Sequence, residues 1–237
     1  MAGECENRSA QMYFRMHHFL ALMMTGFLCG CATDSMELTS HRTIGFDSVA
    51  IGKLPPNFST AVTGGGGPGV WTVREDSPPG GGKVLVQETT DDTSYRFPMC
   101  IYNDLVTRNV AVEVKFKAIA GKTDQAGGIV LRYSPENYYI ARANALEDNV
   151  NLFRTVNGFR SKIDEVEARV TPGQWHTLRF EADGPHLKVI FDGKTVIEKD
   201  DTTFTEAGKI GLWTKADSVT AFKDLKIEPV KEPVSAD

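Results

Sequence analysis

Four stretches of this chain alternate apolar and polar residues with a period of two, and that period builds strands rather than helices. In "NVAVEVKFKA" (109–118), Val110, Val112, Val114 and Phe116 alternate with Ala111, Glu113, Lys115 and Lys117. The same theme recurs in 174–183, 186–200 and 208–215. Turn signals punctuate it: Asp192-Gly193 between two apolar runs, Pro172-Gly173, and Ser134-Pro135-Glu136-Asn137. No amphipathic helix interrupts the pattern. Around twelve strands joined by turns predict an all-β fold: a two-sheet antiparallel jelly-roll sandwich. Leu131, Val150, Leu152, Leu178, Phe180, Leu187, Val189, Phe191, Ile210 and Leu212 are the expected core. Each such side chain, once buried, is worth roughly 1.5–3 kcal/mol.

The ends of the 237-residue chain read differently. The apolar run 19–28 is too short to span a bilayer, which takes about 20 residues. It fits the core of a signal peptide over 1–30. Glu4 and Glu6 are unusual before such a core, so Met12 or Met16 is an alternative start. "LCGC" (28–31) resembles a bacterial lipobox, which implies lipidation of Cys31 and an outer-membrane anchor on the periplasmic side or cell surface. Residues 31–43 then form a tether, 44–228 the folded domain, and 229–237 a tail. With residues 1–30 removed and Cys31 acylated, Cys100 is the one thiol left, which excludes an intramolecular disulfide. A net charge of −5 gives no basic footprint for nucleic acid. The glycine-rich pieces at 64–69 and 78–82 precede no helix with Lys-Ser/Thr and read as loops, not phosphate cradles.

Chemistry is sought on the outward faces of the strands. Pairing the hairpin across its turn sets Tyr133 opposite Tyr138, Arg132 opposite Tyr139 and Leu131 opposite Ile140. With Leu131 and Ile140 inward, Arg132 and Tyr139 point out, and Ala141 and Ala143 leave room beside them. Asn149, Asn151 and Phe153 of the next strand also point out, as do Trp213 and Lys215 farther along. This register turns Arg142 and Asn144 inward. Aromatic rings cover the C–H face of a sugar, while amides and guanidinium groups bond its hydroxyls. The set therefore predicts a carbohydrate site. Cross-strand Arg–Tyr stacking needs no ligand, and a one-residue slip would invert every assignment.

Residues 116–153 and 173–227 resemble the bacterial 3-keto-disaccharide hydrolase domain family through the elements "DQAGG", "NYYIARANALE" and "TKADSVT". The second stretch is also similar to laminin-G and concanavalin A-like jelly rolls. The resemblance implies a lectin-type sandwich and cleavage of a glycosidic bond in an oxidised disaccharide. Its motif brings Arg142 and Asn144 among the substrate-binding candidates, with Arg132, Tyr139, Asn149, Asn151, Trp213 and Lys215. A conventional glycosidase needs two flanking carboxyl groups. Glu165 and Glu167 are in phase but read as a solvated face. A keto sugar needs one base and one electrophile instead. Glu147 or Asp148 is the expected catalytic base, with Arg132 or Lys215 stabilising an enolate. Asp124 and Asp217 are rivals that alternatively fix loops or bind calcium, the one metal this fold suggests; no other cofactor is implied. His176 and His186 read as framework. A non-catalytic lectin-like module and a protein-binding envelope component are the alternatives.

Overall fold

The computed structural model describes residues 40–77 and 81–230, so the proposed signal segment, Cys31 and most of the tether and tail lie outside the described residues. Within them the chain forms fifteen strands and no helix, arranged as two antiparallel sheets. The eight-stranded sheet contains β1 (Arg42–Ile44), β3 (Trp71–Glu75), β4 (Lys83–Gln87), β6 (Val110–Ala120), β11 (His176–Asp183), β12 (His186–Phe191), β13 (Lys194–Asp200) and β15 (Val219–Glu228). Its order is β13-β12-β11-β6-β15-β4-β3, with β1 pairing β15. The seven-stranded sheet runs β10-β9-β8-β7-β14-β5-β2. Those strands are β2 (Phe58–Gly64), β5 (Arg96–Thr107), β7 (Ala126–Ser134), β8 (Asn137–Asn144), β9 (Asn149–Val156), β10 (Phe159–Glu167) and β14 (Gly208–Trp213).

The alternating residues meet between the sheets. All ten expected core residues are buried in one cluster with Phe116, Phe222, Cys100 and Tyr139. The Asp192-Gly193 turn forms as expected, both residues at positive φ, joining Phe191 to Lys194. Burial drives the Cys100 thiol pKa far up, leaving it inert at neutral pH.

The hairpin of β7 and β8 departs from the expected register, for a local reason. Ser134 does pair with Asn137, but one extra residue in β7 then shifts the ladder, so Leu131 faces Tyr139 and Val130 faces Ile140. This is a β-bulge. Arg132 sits there at φ 52, unusual for a non-glycine residue. Beyond the bulge every side chain of β8 is on the face opposite to expectation. Tyr139, Ala141 and Ala143 point into the sandwich, while Ile140, Arg142 and Asn144 lie on the outer face.

Candidate functional site

The outer face of the seven-stranded sheet is built in rows fixed by pairing. One row reads Glu165, Asn151, Arg142, Gly128, Trp213, Met99 and Ala61. A second reads Lys162, Phe153, Ile140, Val130, Gly211, Ile101 and Ser59. Phe97, Phe153 and Trp213 form an apolar cluster there, separate from the main core, with the Phe97 and Trp213 rings stacked 5.4 Å apart. Gly128 stands between Arg142 and Trp213. A Cβ on it would lie 3.2 Å from Arg142 Cβ and 3.3 Å from the indole, so its absence lets the two flank one another.

This face is concave. Four strands separate β10 from β5, which at about 4.8 Å per strand puts them roughly 24 Å apart in a flat sheet. Yet the Arg160 guanidinium of β10 lies 4.5 Å from the Phe97 ring centroid of β5, and 4.4 Å from that of Phe153. The Tyr95 hydroxyl, just before β5, accepts Arg160 N–H at 2.7 Å and donates to Gly158 O at 3.1 Å. The sheet therefore curls, and Arg160 closes over the aromatic cluster, leaving Phe97 and Trp213 no exposed surface. The Asn157-Gly158 turn makes this crossing, with both residues at positive φ.

Polar groups in the hollow are only partly satisfied. Arg142 donates through Nη2 to Glu147 Oε2 at 2.6 Å, but its Nε and Nη1 are buried without a partner among the described residues. Both side-chain polar atoms of Asn151, Oδ1 of Asn149, Nε1 of Trp213 and Nη1 of Arg160 are in the same condition. Buried polar groups are ordinarily bonded, and each exception asks for an explanation. An ordered water or a bound polar ligand supplies one.

Beside this row lies a second, fully bonded group. Lys215 Nζ donates to Asp124 Oδ2 at 2.5 Å, and Asn144 Nδ2 to Asp124 Oδ1 at 3.0 Å. Asn144 Oδ1 accepts from the N–H of Leu146 and Glu147, which shapes the turn carrying Glu147. Burial raises the Asp124 carboxyl above its usual range despite Lys215. Burial would also raise Glu147, but Arg142, Asn149 and Lys215 outweigh it and hold that carboxyl low. Glu147 is 42% exposed, between the hollow and a cleft of about 390 Å³ lined by Asp148, Glu167, Ala168 and Arg169. Among the described residues no cluster of three or more His, Cys, Asp or Glu side chains could hold a metal ion.

The candidates thus divide. Asn149, Asn151, Trp213, Arg142, Asn144, Lys215 and Glu147 come together, the last four joined through Asp124 and the turn. Arg132 and Tyr139 do not join them, because the bulge turns them toward the sandwich interior. Arg132 donates to the carbonyls of Arg108, Phe204 and Gly184 at 3.0, 2.6 and 2.5 Å. The Tyr139 hydroxyl donates to Asp201 at 2.7 Å. Asp148 is also displaced from the expected role: at φ 48 its carboxylate accepts Val170 N–H at 2.9 Å and ties down the segment after β10. Asp217 bonds the backbone N–H groups of Lys122, Thr123 and Asp124, fixing a loop. His176 bonds Asp192 and stacks on Phe191, as framework. Sequence reasoning missed Arg160 and Phe97. The Asn157-Gly158 pair between Val156 and Phe159 was the signal that would have placed Arg160 on a hairpin.

Residues 65–228, from the end of β2 to the end of β15, match the 3-keto-alpha-glucoside-1,2-lyase-like domain family. The chain belongs to that family. The family match contains every residue of the hollow named above except Ala61 and Ser59. A levanase of Bacillus subtilis (strain 168) is 31% identical over 107 residues, which are 44% of this chain but only 15% of the levanase. Among solved structures, the carbohydrate-binding module CBM66 from Bacillus subtilis superposes with a TM-score of 0.59 at 20% identity, covering 73% of this chain and 96% of the module. Domain 4 of AbnA, a GH43 extracellular arabinanase from Geobacillus stearothermophilus solved with arabinotriose, gives 0.53 at 17% identity, covering 81% and 92%. These likenesses show the sandwich fold that the chain shares with CBM66 and with domain 4 of AbnA.

Proposed function

We propose that the chain binds a keto-glycoside in the hollow of the seven-stranded sheet and cleaves its glycosidic bond. The observation that carries this reading is the row Asn151–Arg142–Gly128–Trp213, where buried guanidinium, amide and indole groups lack partners among the described residues. Glycoside hydroxyls both donate to and accept from such groups, and reach them once Arg160, which lies over Phe97, Phe153 and Trp213, moves aside. A ketone acidifies the adjacent C–H. Glu147, ionised at neutral pH and half in solvent, takes that proton. The electron pair passes through an enolate held by Arg142 and expels the glycosidic oxygen from the next carbon, forming a double bond. The leaving oxygen takes its proton from Lys215, which Asp124 orients. Addition of water across the double bond would convert this elimination into net hydrolysis.

The test is to incubate the purified chain with a 3-keto disaccharide and its unoxidised parent, measuring released sugar and, separately, binding. Glu147→Gln is expected to abolish turnover and leave binding within a few-fold. Trp213→Ala is expected to weaken binding. Consumption of substrate by Glu147→Gln at the parent rate would overturn the assignment. One observation favours a second reading, a non-catalytic binding module: the fold matches nearly the whole length of CBM66. Binding of sugars with no consumption of any would decide for it. We also infer from the lipobox-like "LCGC" that the protein is anchored to the cell envelope through Cys31. Radiolabelled palmitate should enter the parent and not Cys31→Ser.

A further inference from the structure

Arg160 has no part in the cleavage just described, yet it covers the aromatic cluster of the outer face. Its guanidinium lies over Phe97 and Phe153 and 5.7 Å from the Trp213 ring centroid. Its Nη1 is buried without a partner, and among the described residues no carboxylate stands within ion-pair distance. Arg142 lies over the same Phe153 ring, at 5.5 Å, so two guanidinium groups share one aromatic platform. The nearby carboxylates are engaged elsewhere: Glu147 with Arg142 and Asn149, Asp124 with Lys215 and Asn144, Glu165 with Lys162 and Asn149.

Arg160 is half-buried; the fully buried Arg96 and Arg132 are held differently. Arg96 donates to the carbonyls of Gly67, Ala216 and Pro68 and to the Thr89 hydroxyl. Arg132 is held by three carbonyls. Arg142 has Glu147 as its counter-charge, but Arg160, half-buried beside that second cation, has none, and withdrawing an unpaired charge from water is costly. Sugar hydroxyls would satisfy N–H groups but would not offset the charge. A carboxylate does both, because the guanidinium fork matches its two oxygens.

We propose that the hollow selects an acidic sugar, a glycoside whose carboxylate pairs with Arg160. This rests on the hollow being a carbohydrate site, and the test separates the two. The full chain is titrated with methyl α-D-glucuronopyranoside and with methyl α-D-glucopyranoside, which differ in the C6 carboxylate, while the Trp213 indole N–H resonance is followed by NMR. The uronoside is expected to bind at least tenfold tighter, and 0.5 M NaCl to erode that advantage. Arg160→Gln should bring the uronoside to the affinity of the neutral glycoside, which it still binds. Equal affinity for the two sugars in the parent, or an advantage indifferent to salt, overturns the inference while leaving the carbohydrate site standing; neither measurement depends on a variant folding. No shift of the indole resonance with either sugar overturns both.

Discussion

The two ends of the β7–β8 hairpin carry similar residues to opposite purposes. At the bulged end, Arg132, Tyr139, Asp201 and Arg154 bond one another or backbone until their main polar atoms are used. The Tyr139 hydroxyl donates to Asp201 and accepts Phe204 N–H at 3.0 Å, and Arg154 closes on the other Asp201 oxygen at 2.6 Å. At the far end, Arg142 and Asn151 are equally buried, but nitrogens and oxygens remain without partners. Burial alone therefore does not separate a framework arginine from a binding one. What separates them is whether the protein itself completes the hydrogen bonds. The contrast predicts that the bulged end bears stability and the far end bears ligand.

The largest effect should come from Arg132→Met. It leaves three carbonyls without their charged donor, and bonds to charged groups are worth roughly 1.5–3 kcal/mol each. A loss of about 4 kcal/mol is expected, or roughly 10 °C in the thermal midpoint of a domain this size. A shift under 2 °C would mean the three bonds do not hold the bulge. Gly208→Ala acts on the same end through sterics. Its Cβ would fall 2.4 Å from the Arg132 carbonyl carbon and 2.7 Å from its Cα, so backbone must move. About 2 kcal/mol of destabilisation is expected, read from urea denaturation. An unchanged midpoint would show that β7 and β14 leave room between them for a methyl group.

Arg142→Met probes the far end of the hairpin. It replaces a half-satisfied buried charge by an apolar chain of similar size, which is often neutral for stability. The unfolding free energy should stay within about 1 kcal/mol of the parent, while glycoside binding drops at least tenfold by calorimetry. A loss as large as that of Arg132→Met would erase the distinction between the two ends.

This hairpin also marks where the sequence stops being legible. Period-two patterning gave both sheets' core residues, because burial on one face is a local, repeating constraint. It gave Asn149, Asn151 and Trp213 their correct face for the same reason. The bulge is another matter. Nothing in "VLRYSPENYY" announces it, since the bulge residue at positive φ is Arg132 rather than Gly or Asn. Its conformation is held by carbonyls of Arg108, Gly184 and Phe204, from three segments remote in sequence. A single inserted residue then inverted Arg132, Tyr139, Arg142 and Asn144 together, which is how a period of two transmits an error. Arg160 reaches the hollow only because the sheet curls, a property of the whole sheet that no local window contains.

The smallest effect distinguishes the two ends by pH. Burial would raise the Asp201 carboxyl, but bonds from Thr203, Tyr139 and Arg154 outweigh it and lower it below the ordinary 3.8. Its contribution to stability is present above the unfolded value and fades as pH falls through the lowered one. Asp124 has the opposite sign. Burial raises it above 3.8 despite Lys215, so its contribution is fullest below the unfolded value and fades as pH climbs through the raised one. Urea midpoints of the parent, Asp201→Asn and Asp124→Asn measured from pH 3 to 6 should therefore diverge. The parent gains on Asp201→Asn as pH rises toward 3.8, and loses ground to Asp124→Asn as pH rises beyond it. Parallel slopes for the two variants would mean that Asp124 is ionised as readily as a framework carboxylate.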